Sequence, residues 1–249
     1  MSSDNAHEDN AHESSSLVSR RRLLALIGAG GVAALAPACG GGSRQRSVAS
    51  TESTTASTSA SSADVCVLTP EQTEGPYYIA GESVRYDITE AKPGMPLRLA
   101  FAVVDAAGCT PLADALVDIW HADASGNYSA FSSGDPNGTF LRGVQASDAQ
   151  GRAGFKTIYP GWYQGRATHI HVKVHAGGDV VHTGQLYFDE AVSDAVYATA
   201  PYRVRTGNRT TNAQDGIYGN GGTQSTLALK RDGDGPGYVG TITLGVKRG

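Results

Sequence analysis

From Asp64 onward the sequence is a series of short apolar alternations. Each is stopped within a few residues by glycine, proline, aspartate or asparagine. Leucine-rich helical runs are few beyond the N-terminus, and the 32 glycines suit a chain of frequent tight turns. The pattern predicts an all-β domain over residues 64–249: a β-sandwich with long loops and at most one or two short helices. Strands are expected over residues 97–104, 115–120, 153–158, 168–174, 185–188 and 238–246. A short helix is expected over 189–198, and the polar, Gly/Asn-rich stretch 202–222 reads as a long loop.

The N-terminal part has a different texture. Polar residues lead to Ser19-Arg20-Arg21-Arg22, and then an apolar run extends from Leu23 to Ala38. This is the layout of an export signal, and the run is shorter than the ~20 residues a membrane span needs. The paired arginines resemble a twin-arginine signal. Ala36-Pro37-Ala38-Cys39 resembles a lipobox, so residues 1–39 are read as a signal ending at a lipidated Cys39. Residues 40–63, rich in Ser, Thr and Ala, cannot bury enough apolar surface to fold and read as a tether. The protein is therefore expected to be exported, outside the cell or on the outer face of the cell membrane, touching the membrane only through a lipid anchor. In that oxidising compartment Cys66 and Cys109 are expected to pair. The net charge of −4, without a basic stripe, excludes nucleic acid as an expected partner.

The chemistry concentrates at Thr168-His169-Ile170-His171-Val172-Lys173-Val174. In a strand, residues two apart share a face, so His169 and His171 project together while Ile170, Val172 and Val174 face the core. Upstream, Gly126-Asn127-Tyr128 and Pro160-Gly161-Trp162-Tyr163 each deliver a tyrosine by a glycine turn. Two phenols and two imidazoles are a hard-to-borderline donor set that favours ferric iron over zinc or copper(I).

These segments, in order, resemble the intradiol ring-cleavage dioxygenases, which include catechol 1,2-dioxygenases and protocatechuate 3,4-dioxygenases. The matching stretches are Thr73-Glu74-Gly75-Pro76-Tyr77-Tyr78, residues 115–123 with Gly126-Asn127-Tyr128, and Phe140-Leu141-Arg142-Gly143. They continue with residues 157–163, Arg166-Ala167-Thr168-His169-Ile170-His171, and Gln185-Leu186-Tyr187-Phe188. The resemblance implies a β-sandwich and one non-haem Fe(3+) per chain held by Tyr128, Tyr163, His169 and His171. It implies that Tyr163 is the ligand displaced by substrate and doubles as a base. Arg166 would stabilise developing negative charge, and Gln185 would serve as a hydrogen-bonding catalytic residue. The N-terminal arm would lie over the site's mouth, with Tyr77 and Tyr78 as substrate contacts. The expected reaction cleaves a catechol-type ring with O2 to a cis,cis-muconate-type diacid.

The sequence departs from the family's usual Arg-Pro-Ala-His at Ala167-Thr168, and its gap between Tyr163 and Arg166 is short. The short gap suggests an open site that accepts larger catechols. Elsewhere, His175 and His182 are expected at the surface, Asp118 as a solvated or turn-bonding carboxylate, and His121 as a structural or site-neighbouring residue. Two other readings compete with this one. A copper/zinc superoxide dismutase would need more histidine ligands than the chain offers. A non-catalytic cell-surface β-sandwich binding module would leave the four donors without a role.

Overall fold

The computed structural model describes residues 66–132, 135–233 and 235–248; the export signal, the lipidation site Cys39 and the tether lie outside them. Two sheets face each other. One holds β1 (Pro96–Asp105), β2 (Thr110–Pro111), β5 (Arg152–Ile158), β8 (Ala228–Arg231) and β9 (Tyr238–Val246). Its order is β2-β1-β9-β8, with β5 also on β1, and β1 runs parallel to β9. The other holds β3 (Leu116–Trp120), β4 (Arg142–Ala146), β6 (His169–Ala176) and β7 (Asp179–Tyr187), in the order β4-β3-β6-β7, all antiparallel.

The core follows from the alternation. Leu97, Leu99, Phe101 and Val103 of β1 are buried while Arg98 and Ala100 are exposed. They join Val117, Ile119, Ile170, Val172, Val174 and Leu186 of the second sheet in one apolar cluster between the sheets. The helix α1 (Glu190–Tyr197) starts where Asp189 accepts hydrogen bonds from the backbone N–H groups of Ala191 and Val192. Cys66 and Cys109 are joined by a disulfide with Cα atoms 5.4 Å apart, which ties the N-terminal arm to the turn after β1. Among the described residues no helix is long and apolar enough to cross a membrane.

Four expectations change. The strand expected over 185–188 begins at Asp179, so β6 and β7 form a hairpin turned by Gly177-Gly178. Strands β2, β4 and β8 were not anticipated. His182, expected at the surface, is 1% exposed: it pairs in register with Val174 and so points inward, where Gly184 makes room for its ring. Asp118, expected to be solvated, is 3% exposed. Val117 and Ile119 take the inner face, which puts Asp118 on the outer one, and the N-terminal arm covers it.

Candidate metal centre

The outer face of the second sheet carries the site. Across it, Trp120 lies opposite both Arg142 and His171, and His171 lies opposite Gln185. One row of directly facing side chains therefore runs Arg142, Trp120, His171, Gln185. His169 lies two residues before His171 on β6, opposite Tyr187. The Nδ1–H of His169 donates to the carbonyl of Ala167 at 2.6 Å, which leaves its Nε2 with a free lone pair. That Nε2 is 3.1 Å from His171 Nε2, 3.1 Å from the Tyr163 hydroxyl and 3.5 Å from the Tyr128 hydroxyl. Burial holds His169 down to about 3, with the charge of Arg166 acting in the same direction. Burial and then His169 hold His171 well below the ordinary range, so both imidazoles are neutral donors. Burial raises the phenols of Tyr128 and Tyr163.

Two turns bring the tyrosines in. The Asp123 carboxylate accepts from the backbone N–H groups of Ser125 at 2.9 Å and Asn127 at 3.0 Å, and its other oxygen accepts from Lys92 at 2.9 Å. The Asp123 carbonyl accepts from Gly126 and from Gly161 of the second turn. At Gly126, with φ +81°, an added Cβ would lie 2.4 Å from the Trp162 carbonyl oxygen. Only glycine lets the two backbones approach this closely. Arg205 closes the contact, with its guanidinium 4.3 Å from the centre of the Trp162 ring and a hydrogen bond to the Ser125 carbonyl.

The N-terminal arm covers the face. Gly75 sits over His171, where a Cβ would be 3.1 Å from Cε1. The Tyr77 ring stacks on Tyr128 at 4.3 Å. Tyr78 packs on Trp120, which lies parallel to the His171 ring at 4.9 Å. Arg142 is 1% exposed and donates to the Tyr77 carbonyl and to Ser129, and Lys173 pairs with Glu74. Gln185 donates from its amide nitrogen to the Thr73 carbonyl at 2.9 Å, and its oxygen accepts from Arg166 and Tyr187. Arg166 also pairs with the buried Asp215 at 3.0 Å. Although Gln185 lies opposite His171, its hydrogen bonds go to Arg166, Tyr187 and the arm and to none of the four donors. His121 is fully buried between the Ala122 carbonyl and the Thr157 hydroxyl, a structural position.

Sequence reasoning missed Trp120, Arg142, Asp215 and Arg205 as parts of this assembly. The alternation through Val117 and Ile119 carried a signal for Trp120. Asp215 and Arg205 come from the irregular loop, where no periodicity marks them.

Among the described residues no group of three or more His, Cys, Asp or Glu side chains is arranged to hold a metal. The converging donors are instead two neutral imidazoles and two phenols. The 3.1–3.5 Å separations from His169 Nε2 suit donor atoms that each bind one shared ion at ~2.0–2.2 Å. A donor set with two oxygen anions in reserve suits ferric iron.

The dioxygenase family's sequence profile matches residues 73–216, which span every donor of this site. The chain belongs to the intradiol ring-cleavage dioxygenase family. Among curated relatives of the family, catechol 1,2-dioxygenase 2 of Acinetobacter lwoffii is 35% identical over 144 residues, covering 49% of this chain and 51% of that one. The chain thus spans about half the length of the curated relatives it matches. The intradiol ring-cleavage dioxygenase of Tetranychus urticae superposes with a TM-score of 0.70 at 35% identity, covering 73% of this chain and 95% of that one. The dioxygenase domain of a dioxygenase and carbohydrate-binding protein fusion from Streptomyces sp. SirexAA-E gives 0.58 at 32%, covering 74% and 100%.

Proposed function

We propose that the chain is a non-haem iron(III) dioxygenase that opens catechol-type rings with O2, between the two hydroxyl-bearing carbons, giving cis,cis-muconate-type diacids that retain both oxygen atoms. The observation that carries this is the convergence of two phenols and the His171 imidazole within 3.5 Å of His169 Nε2. Tyr128, Tyr163, His169 and His171 would hold one ion. Bound there, ferric iron supplies Lewis acidity toward a chelating diol and toward the phenols.

The two tyrosines differ in freedom. Tyr128 is 4% exposed and capped by Tyr77, whereas Tyr163 is only half-buried and can swing aside. Tyr163 is therefore the group that yields its place to substrate and takes up a hydroxyl proton at its own oxygen. Arg166, fixed by Asp215 and Gln185, lowers the proton affinity of both phenols by its charge and offers the same charge to an electron-rich ring. The arm, with Gly75, Tyr77 and Tyr78, shields the imidazole side from water. Oxygen uptake with product analysis tests the reading. One O2 consumed per catechol and a ring-opened diacid carrying both 18O atoms are expected; a quinone product or no uptake by the iron-loaded protein would contradict it.

The reading extends to residues 1–63 as an export signal, a lipidated Cys39 and a tether, on the strength of the arginine-led apolar run and the small residues before Cys39. The intact mass of the mature protein tests this: a diacylglyceryl-modified chain starting at Cys39 is expected, and an unmodified cysteine would refute the anchor.

A further inference from the structure

The Gly126–Ser132 stretch does more than carry Tyr128. With Tyr77 it walls a cavity of ≈ 340 Å³ lined by Tyr77, Gly126, Asn127, Tyr128, Phe131 and Ser132. Three features set it apart. Phe131 stands 47% exposed at the rim, with its ring edge-on to Tyr77 at 5.2 Å. The preceding Ala130 holds φ +64°, a left-handed conformation uncommon for any residue but glycine. The exposed Asn127 side-chain amide has no hydrogen-bond partner among the described residues, while the Ser132 hydroxyl is tethered to the Tyr128 carbonyl at 2.8 Å.

Aromatic walls beside a free amide and a hydroxyl are the chemistry that recognises a ring bearing hydroxyl groups. The rings pack against its faces, and the polar groups take its hydroxyls. Tyr128 is a wall of this cavity and also one of the four converging donors, so a ring seated here is adjacent to the centre. The volume is enough for one substituted ring.

We propose that this cavity is an outer subsite that binds a hydroxyl-bearing ring carried by the catechol, with Phe131 and Asn127 as its recognition residues. The inference rests on the ring-cleavage reading above and names a substrate class for it: catechols extended by a second, hydroxylated ring.

The test compares wild type, Phe131→Ala and Phe131→Tyr on three substrates: catechol, a catechol with a glucosyl ring on its side chain, and a flavanol whose second ring is the catechol. The readout is the ratio of kcat/KM for each extended substrate to that for catechol. Phe131→Ala is expected to lower that ratio about five-fold, through KM, and Phe131→Tyr to restore it. Loss with the glucoside alone identifies a sugar as the occupant, loss with the flavanol alone a phenolic ring. An unchanged ratio with both overturns the subsite and leaves ring cleavage standing. Saturation-transfer NMR on the iron-free protein gives a second readout that needs no turnover. Saturation reaching the glucosyl or flavanol ring in wild type and not in Phe131→Ala supports the subsite even if ring cleavage fails; no difference overturns it.

Discussion

The two faces of the β4-β3-β6-β7 sheet are built by the same strands and buried to the same degree, yet they are different solvents. The inner face presents Val117, Ile119, Ile170, Val172, Val174 and Leu186 to the opposite sheet. The outer face presents Asp118, Trp120, His169, His171, Lys173 and Gln185 to the N-terminal arm, all 6% exposed or less. Apolar packing on the inner face asks only for volume and shape. The outer face asks that each polar atom find a partner, and the arm and the loops supply most of them: Thr73 for Gln185, Glu74 for Lys173, Tyr78 for Asp118. A one-residue register slip in β6 would exchange the two sets, so the sandwich core also fixes where the imidazoles point.

Neighbouring substitutions on β6 separate the faces. His169→Ala removes the donor to which the others converge and is expected to cost more than about 100-fold in iron affinity and in kcat/KM, with a smaller effect on unfolding than its neighbour. Iron content and urea unfolding of the same preparation check this; full iron occupancy in the variant would break the assignment. Ile170→Ala should do the reverse. Its cavity in the inner core is expected to cost about 2–5 kcal/mol of stability while the folded fraction still binds one iron. A variant that lost iron and kept its stability would show that the faces are not separable.

Gly126→Ala sharpens the comparison within the outer face. The added Cβ would meet the Trp162 carbonyl at 2.4 Å and part the turns that carry Tyr128 and Tyr163. A loss of at least about 10-fold in kcat/KM is expected from that misplacement, and wild-type kinetics would show that the turns are not coupled.

The smallest effect is at Asp118. Burial pushes its carboxyl up to about 7 from 3.8, against the Tyr78 hydroxyl, Lys173 and Arg142, which favour the charge, while Glu82 opposes it. Between these values the folded chain holds a proton that the unfolded chain has lost. This residue's contribution to stability therefore declines as pH rises from about 4 to 7. Asp118→Asn is expected to remove on the order of 1 kcal/mol of that decline, measured by urea unfolding at pH 5 and pH 7.5. An unchanged pH slope would mean the carboxyl is ionised in the folded protein throughout.

How much of this was legible follows from where each residue sits. The alternation through His169, Ile170 and His171 gave both the strand and its two faces, and β9 matches its expected span of 238–246. The glycine turns before Tyr128 and Tyr163 marked the residues they deliver. His182 and Asp118 were misplaced because a single polar residue in an alternating strand inherits its face from its neighbours, and the burial of both faces is a tertiary fact. Strands β4 and β8 are short and lack a clean alternation. Arg205 and Asp215 reach the site from the irregular loop after α1, where contact depends on the closed chain and not on spacing.

The visible absorption spectrum of the purified protein, before and after anaerobic addition of catechol, decides whether the phenol oxygens of Tyr128 and Tyr163 bind ferric iron. A burgundy tyrosinate-to-iron(III) band that moves to longer wavelength with catechol is expected. A protein that stays colourless after loading with iron would contradict the four-donor centre and the function built on it.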